Sequence, residues 1–249
     1  LGQISAEEVE DNIKENTILV SLIHVNNEIG VITDIEKIAK LTSSKGILLH
    51  VDAAQSLGRV KIDLSNTPID LLSCASHKIY GPKGAGALYI RKNPRLKLSP
   101  LIDGGGQEGG LRSGTLSTIN IIGMGEACLQ LKNNWDKDRS HIKELSDYFL
   151  ENIFNSNKDN KFIFNAIDAN RVPDILSLSV GEDADVFIKS RPQIAISAGS
   201  ACSSGAMQAS HVLSNLGMSP LQAQQVVRVS FGRMSTKDET DVLISEFLR

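Results

Sequence analysis

No apolar run in these 249 residues approaches the roughly 20 that a membrane-spanning helix needs. There is no surplus of positive charge either. Lys and Arg total 26 against 29 Asp and Glu, a net charge of −3, which argues against nucleic acid or an anionic membrane as partner. Cysteine is scarce. Cys74, Cys128 and Cys202 are odd in number, widely spaced and form no C-x-x-C, so neither a disulfide framework nor a zinc site is expected. His24, His50, His141 and His211 show no metal-ligand spacing, and no metal is expected. The N-terminus has no basic n-region or h-region, so the expectation is a cytoplasmic protein in a reducing compartment. No G-x-x-x-x-G-K-[ST] occurs, and there is no internal repeat, coiled coil or low-complexity tract.

What is present is ordinary globular composition, 41% hydrophobic and 22% charged, enough for one large domain or two smaller ones. Ser5-Ala6-Glu7-Glu8 reads as a capping box opening a helix to about Asn16. Thr17 to Val25 reads as a strand buried on both faces, Asp34 to Ser44 as a helix ended by Gly46, and Ile47 to Val51 and Ile69 to Cys74 as further buried strands. Strand, helix, strand with short connections predicts a parallel sheet. Ile119 to Leu131 and Asp136 to about Ile153 read as two helices, with a domain boundary near Lys132 to Asp136, dividing residues 1–134 from 135–249. Asn155 to Asn170 reads as loop. Beyond it, Ile175 to Val180 alternates like a half-buried strand, Asp183 to Lys189 reads as a helix, and Ile194 to Ser197 as a short strand. A helix near Ala209 to Leu216, a strand Val226 to Phe231 and a helix Thr236 to Leu248, opened by a second capping box, complete the chain.

Polar groups fall at or just past strand ends: Asn27, Asp52 with Gln55, and His77-Lys78. Ligands of open α/β sheets bind there, so these groups are candidates to converge on one ligand. Lys78 stands between an apolar run and the turn Gly81-Pro82-Lys83-Gly84. A free lysine titrates near 10.4, and as a nucleophile it needs burial or an electron-poor partner such as pyridoxal phosphate, held as a Schiff base. Taken alone, Lys78 reads as an ordinary surface lysine, Asp52 and Gln55 as a strand-end turn, and Arg228 as one half of a structural ion pair. Gly104 to Thr115 is too glycine-rich for regular structure. Its amides with Arg112, Ser113 and Thr115 suit an anion, or it is simply a surface loop. Cys202 lies among small residues that leave it unshielded, whereas Cys74 and Cys128 read as inert small hydrophobes on a strand and a helix.

Six pieces, in order over nearly the whole chain, carry a family resemblance: HVNNEIG at His24–Gly30, HVDAAQ at His50–Gln55, SHKIYGPKGAGALY at Ser76–Tyr89, RSGT at Arg112–Thr115, SAGSACSS at Ser197–Ser204 and VRVSFGR at Val227–Arg233. The chain resembles the cysteine desulfurases, pyridoxal-phosphate enzymes in the class V branch of the type I aminotransferase fold. The resemblance implies an α/β fold, with part of the large domain and its mainly parallel sheet followed by a smaller C-terminal α/β domain. It implies Lys78 as the residue that binds the cofactor and moves the substrate's α-proton. Asp52 would pair with the pyridinium nitrogen, Gln55 with the phenolic oxygen, and Asn27 with that oxygen and the substrate carboxylate. Ser76 and His77 would contact the phosphate, Thr115 the phosphate of a neighbouring subunit in a homodimer, and Arg228 the substrate carboxylate. Cys202 would take sulfur from L-cysteine as a persulfide and pass it to acceptor proteins for iron–sulfur clusters or tRNA thiolation.

Other class V activities, a selenocysteine lyase or an aminotransferase, are the alternatives. So is a truncated fragment acting as a dimerisation or acceptor-binding module. The resemblance also implies a long N-terminal portion before the point matching Leu1, with a phosphate loop and a His that stacks on the cofactor ring, and a C-terminal tail beyond Arg249. A lone chain is then expected to expose sheet edges and apolar surface. Family members usually have Ser at the position of Ala75 and often Arg at that of Gly109, so two phosphate contacts are expected to be missing.

Overall fold

Local signals start most elements where the pattern predicts. In the first helix, α1 (Ala6–Asn12), Ser5 and Glu8 bond each other's backbone N–H reciprocally, at 2.8 and 3.1 Å. The computed structural model describes residues 2–92, 96–157, 160–199 and 210–249. These form two units, one of residues 4–24 and 34–134, the other of the described residues within 1–3, 25–33 and 135–249.

In the first unit, strand β1 (Leu19–Ile23) leads through helix α2 (Ile35–Ser44) to β2 (Leu48–Asp52), then β3 (Leu71–Ala75) and β4 (Gly86–Ile90). Asp34 caps α2 by accepting from the Lys37 N–H. Gly46, at φ +67°, reverses the chain into β2, a conformation that favours glycine. The sheet order is β1-β2-β3-β4, parallel through β3 with β4 antiparallel. Ile35, Ile38 and Ala39 of α2 and Val9 of α1 pack on Leu49, Val51 and Leu72. Each large side chain buried there contributes about 1.5–3 kcal/mol.

The expectation that β1 is buried on both faces is corrected. Its residues alternate, with Leu19 42% and Ile23 45% exposed, because it is an outer strand and only Val20 and Leu22 turn to the helices. Leu88 of β4 is also half exposed.

A second correction concerns the two helices expected between Ile119 and Ile153. They are one helix, α3 (Thr118–Ser156), and the sequence passes from one unit to the other inside it, between Asn134 and Trp135. Lys132 to Asp136 contains neither proline nor glycine, and the Asn134 amide bonds back to the Gln130 carbonyl at 2.8 Å. Polar residues alone do not break a helix that loses no backbone bond.

The second unit continues with β5 (Ile163–Phe164), inside the stretch expected to be loop, then β6 (Ile175–Ser179), α4 (Ala184–Lys189) and β7 (Ser197–Ala198). α5 (His211–Asn215), α6 (Pro220–Ala223), β8 (Val226–Ser230) and α7 (Lys237–Leu248) follow. The sheet order is β5-β6-β8-β7, antiparallel throughout. β6 is buried along Ile175 to Leu178 rather than alternating, since the Ser177 hydroxyl goes inside on a 3.0 Å bond from the Asn165 amide. Phe149, Phe187 and Phe247 are fully buried, with ring centroids 5.4 and 5.0 Å apart about Phe247.

Candidate active site

Parallel pairing sets β2 and β3 to finish side by side. Asp52, the last residue of β2, lies in register with Ser73, and the Ala53 N–H extends the ladder to the Ser73 carbonyl at 2.8 Å. The Asp52 carboxylate accepts from the Ala54 N–H at 2.8 Å, which fixes the turn that carries Gln55. Gln55 is half-buried, and its Oε1 is shut from solvent with no hydrogen-bond partner among the described residues.

After β3 the chain makes a single 3-10 turn, Ser76–Lys78. Ser76 is fully buried, and its Oγ also lacks a partner among the described residues. Gly81 folds back so that its N–H reaches the Ser76 carbonyl at 3.0 Å, and a β-carbon on Gly81 would lie 2.2 Å from Ser76 Oγ. Only glycine closes that turn without a clash. Ile79, 2% exposed, anchors the turn in the core, and Tyr80 takes φ +68°. His77 and Lys78 stand exposed on it.

Thr115 is exposed on the glycine-rich loop of the same unit. That loop holds itself together. Buried Ser113 accepts from the Gly106 N–H at 3.3 Å, Gln107 accepts from the Gly114 N–H at 2.9 Å, and Arg112 donates to the Gly114 carbonyl at 3.2 Å. Its regular piece is one turn, Glu108–Gly110. Cys74 bonds the Ala87 carbonyl, and burial pushes its thiol up from the usual range; Cys128 is exposed on α3 rather than packed.

Two histidines of this unit have surroundings that no motif announces. His50 bridges the three parallel strands, with Nδ1 2.8 Å from Ser21 Oγ and Nε2 3.2 Å from Ser73 Oγ. His24 donates its backbone N–H to the Asp52 carbonyl at 3.0 Å, and its buried Nδ1 has no partner among the described residues. Burial lowers its pKa to about 4, so it stays neutral at neutral pH.

In the second unit, Asn26 builds a tight turn by accepting from the Glu28 and Ile29 N–H groups at 2.9 and 3.1 Å. Asn27 rides on it. Arg228, half-buried on β8, donates from Nη1 to the Asn27 carbonyl at 2.9 Å. The structure thus groups Asp52, Gln55, Ser76, His77, Lys78 and Thr115 in one unit, and Asn27 with Arg228 in the other. Cys202 lies outside the described residues.

An α/β unit that ends one parallel strand in a carboxylate and its neighbour in a serine–histidine–lysine turn has the donor set of a pyridoxal-phosphate enzyme. The chain belongs to the aminotransferase class-V family, whose sequence profile matches residues 1–243.

Over 241 residues it is 46% identical to the cysteine desulfurase IscS of Pseudomonas putida strain F1, covering 96% of this chain and 59% of that protein. The cysteine desulfurase IscS of Buchnera aphidicola subsp. Baizongia pistaciae is 46% identical over 244 residues, covering 98% and 60%. Among solved structures, a NifS-like protein from Rickettsia africae superposes with a TM-score of 0.88 at 28% identity, over 99% of this chain and 66% of that one. SspA in complex with cysteine superposes at 0.78 with 36% identity, over 94% and 65%. The chain spans about three fifths of the curated relatives it matches.

The class-V family uses pyridoxal phosphate. The residues present fit it. Two buried polar atoms, Gln55 Oε1 and Ser76 Oγ, have no partner among the described residues, beside the strand ends that carry Asp52 and Lys78.

Proposed function

We propose that this chain is the lysine- and cysteine-bearing portion of a pyridoxal-phosphate-dependent cysteine desulfurase, which converts L-cysteine to L-alanine and loads the sulfur on Cys202. The observation that carries the reading is the pair of buried oxygens at Gln55 and Ser76 that have no partner among the described residues, because buried polar groups without partners mark a place built for something else. The bound cofactor supplies an aldehyde and an electron-withdrawing ring. Asp52 would face its ring nitrogen, Gln55 and Asn27 its phenolic oxygen, Ser76 and His77 its phosphate, and Lys78 its aldehyde carbon. Thr115 would reach the phosphate bound to a second copy in a homodimer.

The chain's own residues then handle the substrate. Lys78 takes and returns the proton on the α-carbon of cysteine. Arg228 spends one N–H on the Asn27 carbonyl, which orients the guanidinium and leaves its other donors for the α-carboxylate in a two-pronged bond. The Cys202 thiolate attacks the substrate sulfur. The carbon–sulfur bond breaks, a sulfur–sulfur bond forms, and the carbon left behind takes a proton to become the methyl of alanine.

Functionally, residues 1–134 bear the cofactor lysine and residues 135–249 the persulfide cysteine. Sulfur then passes to acceptor proteins, of the iron–sulfur scaffold or tRNA-thiolation type, in the cytoplasm. The relatives' name and the cysteine complex of SspA support the substrate class.

The test is direct. Purified chain is mixed with pyridoxal phosphate, reduced with borohydride and mapped by mass spectrometry. The expected adduct sits on Lys78. L-Cysteine should then yield alanine and a one-sulfur mass gain on Cys202. Cys202→Ala should abolish sulfide release while the adduct still forms. Undiminished sulfide release from that variant would reject the mechanism, and a colourless protein that ignores the cofactor would point to a binding module.

A further inference from the structure

The turn that presents Asn27 holds a second, unrelated grip. Glu28 is 8% exposed, and its Oε2 accepts a 2.6 Å hydrogen bond from Ser210 Oγ, which is 7% exposed and lies 182 positions away. That length is in the range of a hydroxyl bonded to a carboxylate. Burying a carboxylate is costly unless it is hydrogen-bonded, so a glutamate here calls for a reason beyond packing.

Ser210 is the first described residue after the segment 200–209, which carries Cys202. Its hydroxyl works in both directions. It donates to Glu28 and accepts from the Leu213 N–H at 3.2 Å, capping α5. At the other end of the segment, the Gly199 N–H bonds the Val226 carbonyl at 2.8 Å, two residues from Arg228 on the same strand. A β-carbon on Gly199 would lie 3.0 Å from Val226 Cγ1, so that end is close-fitted as well. Ile29 and Val31 of the turn pack with Leu213 and Val226 in one small core. Both ends of the cysteine-bearing segment are therefore fastened to the structure that positions Asn27 and Arg228.

We propose that Glu28 is a positioning residue for sulfur transfer: through Ser210 it fixes the C-terminal end of the Cys202 segment to the turn that carries Asn27. The proposal rests on the desulfurase reading. It adds that this bond ties Ser210, which follows the nucleophile segment in sequence, to the substrate-side turn.

The test compares Glu28→Ala, Ser210→Ala, the double variant and Ser210→Thr, with Ser146→Ala as control. Ser146 loses a 2.7 Å bond to the Pro173 carbonyl elsewhere in the same unit and reports generic destabilisation. Amide exchange needs no activity. Glu28→Ala and Ser210→Ala should speed exchange at Leu213 and Ser214 by about tenfold and leave Ile175–Ser179 unchanged. With cofactor and cysteine, each single variant should slow persulfide loading on Cys202 by about tenfold at near-constant KM. The double variant should be no slower than either single, since both remove one bond. Ser210→Thr, which keeps the hydroxyl, should restore the rate, and Ser146→Ala should not change it. Unaltered exchange, or persulfide loading at the wild-type rate in Glu28→Ala, overturns the proposal. If the unmodified chain loads no sulfur at all, it is the desulfurase reading that falls, and the exchange measurement alone then decides whether Glu28 anchors Ser210.

Discussion

The two units treat their buried polar atoms differently. In the second, Asn165 bonds Ser177, Arg139 meets Asp174 at 3.1 Å, and Arg191 donates to the carbonyls of Glu246 and Phe187 while stacking on the Phe187 ring. Two further buried atoms there face opposite charge: Glu246 Oε2 lies 3.7 Å from the Arg249 guanidinium, and Arg233 Nε lies 3.2 Å from the Asp138 carboxylate. In the first unit, His24 Nδ1, Gln55 Oε1, Ser56 Oγ and Ser76 Oγ are buried without partners among the described residues. The cores differ as well. All seven phenylalanines fall at or after position 149, and five of them meet ring to ring with Phe149, Phe247 or both. The first unit is packed with aliphatic side chains. A region that satisfies itself is organised for stability, while one that leaves polar atoms waiting at strand ends is organised to receive a ligand.

The sharpest way to break this contrast is to exchange the roles. Phe247→Ala should cost about 3–5 kcal/mol, since it empties the centre of the aromatic core. Lys78→Ala, at an exposed position, should shift stability by no more than about 0.5 kcal/mol yet prevent the borohydride-stable adduct. Denaturant midpoints and adduct mapping on the same samples check both. A Lys78 variant that unfolds, or a Phe247 variant of full stability, would erase the distinction.

Acid separates the units next. His24 titrates at about 4 when folded and 6.5 when unfolded, so below 6.5 the unfolded chain binds a proton that the folded one refuses. Stability from this group is intact above 6.5, falls between 6.5 and 4, and levels off below. The full loss is about 3 kcal/mol. His24→Asn keeps a polar atom near Nδ1 without the titration. Its stability curve should run flatter than the parent's across that window, and parallel curves would mean that His24 is not buried neutral.

Much of this was legible in the chain because its causes are local. Ser5 with Glu8 and Thr236 with Glu239 are capping boxes readable three residues apart, and both close as expected. The placement of Asp52 at a strand end and of Lys78 in the turn just past one was readable because each follows a short apolar run. What stayed hidden depends on partners far away in sequence. Ser177 looks like the polar half of an alternating strand until Asn165 takes it inside. β1 looks doubly buried until its edge position is known. Glu28 sits in a recognised motif, yet its partner is 182 positions away. The continuity of α3 was hidden because the stretch Lys132 to Asp136 reads as a boundary, whereas none of its residues removes a backbone hydrogen bond as proline would.

The smallest effect discriminates most finely. Ser76 is wholly buried, its Oγ has no partner among the described residues, and the Gly81 backbone presses close to it. Removing an unsatisfied buried hydroxyl takes away its desolvation cost, so Ser76→Ala should leave stability unchanged or raise it by about 1 kcal/mol. The same change should weaken pyridoxal-phosphate binding, because the oxygen that has no partner among the described residues is then absent for the phosphate. Ser177→Ala in the second unit should do the opposite, costing about 1–3 kcal/mol by stranding the Asn165 amide, with no effect on cofactor binding. Paired melts with and without cofactor read both. If Ser76→Ala instead destabilises the apo chain as Ser177→Ala does, the hydroxyl has a structural partner, and the first unit keeps no more in reserve for a ligand than the second.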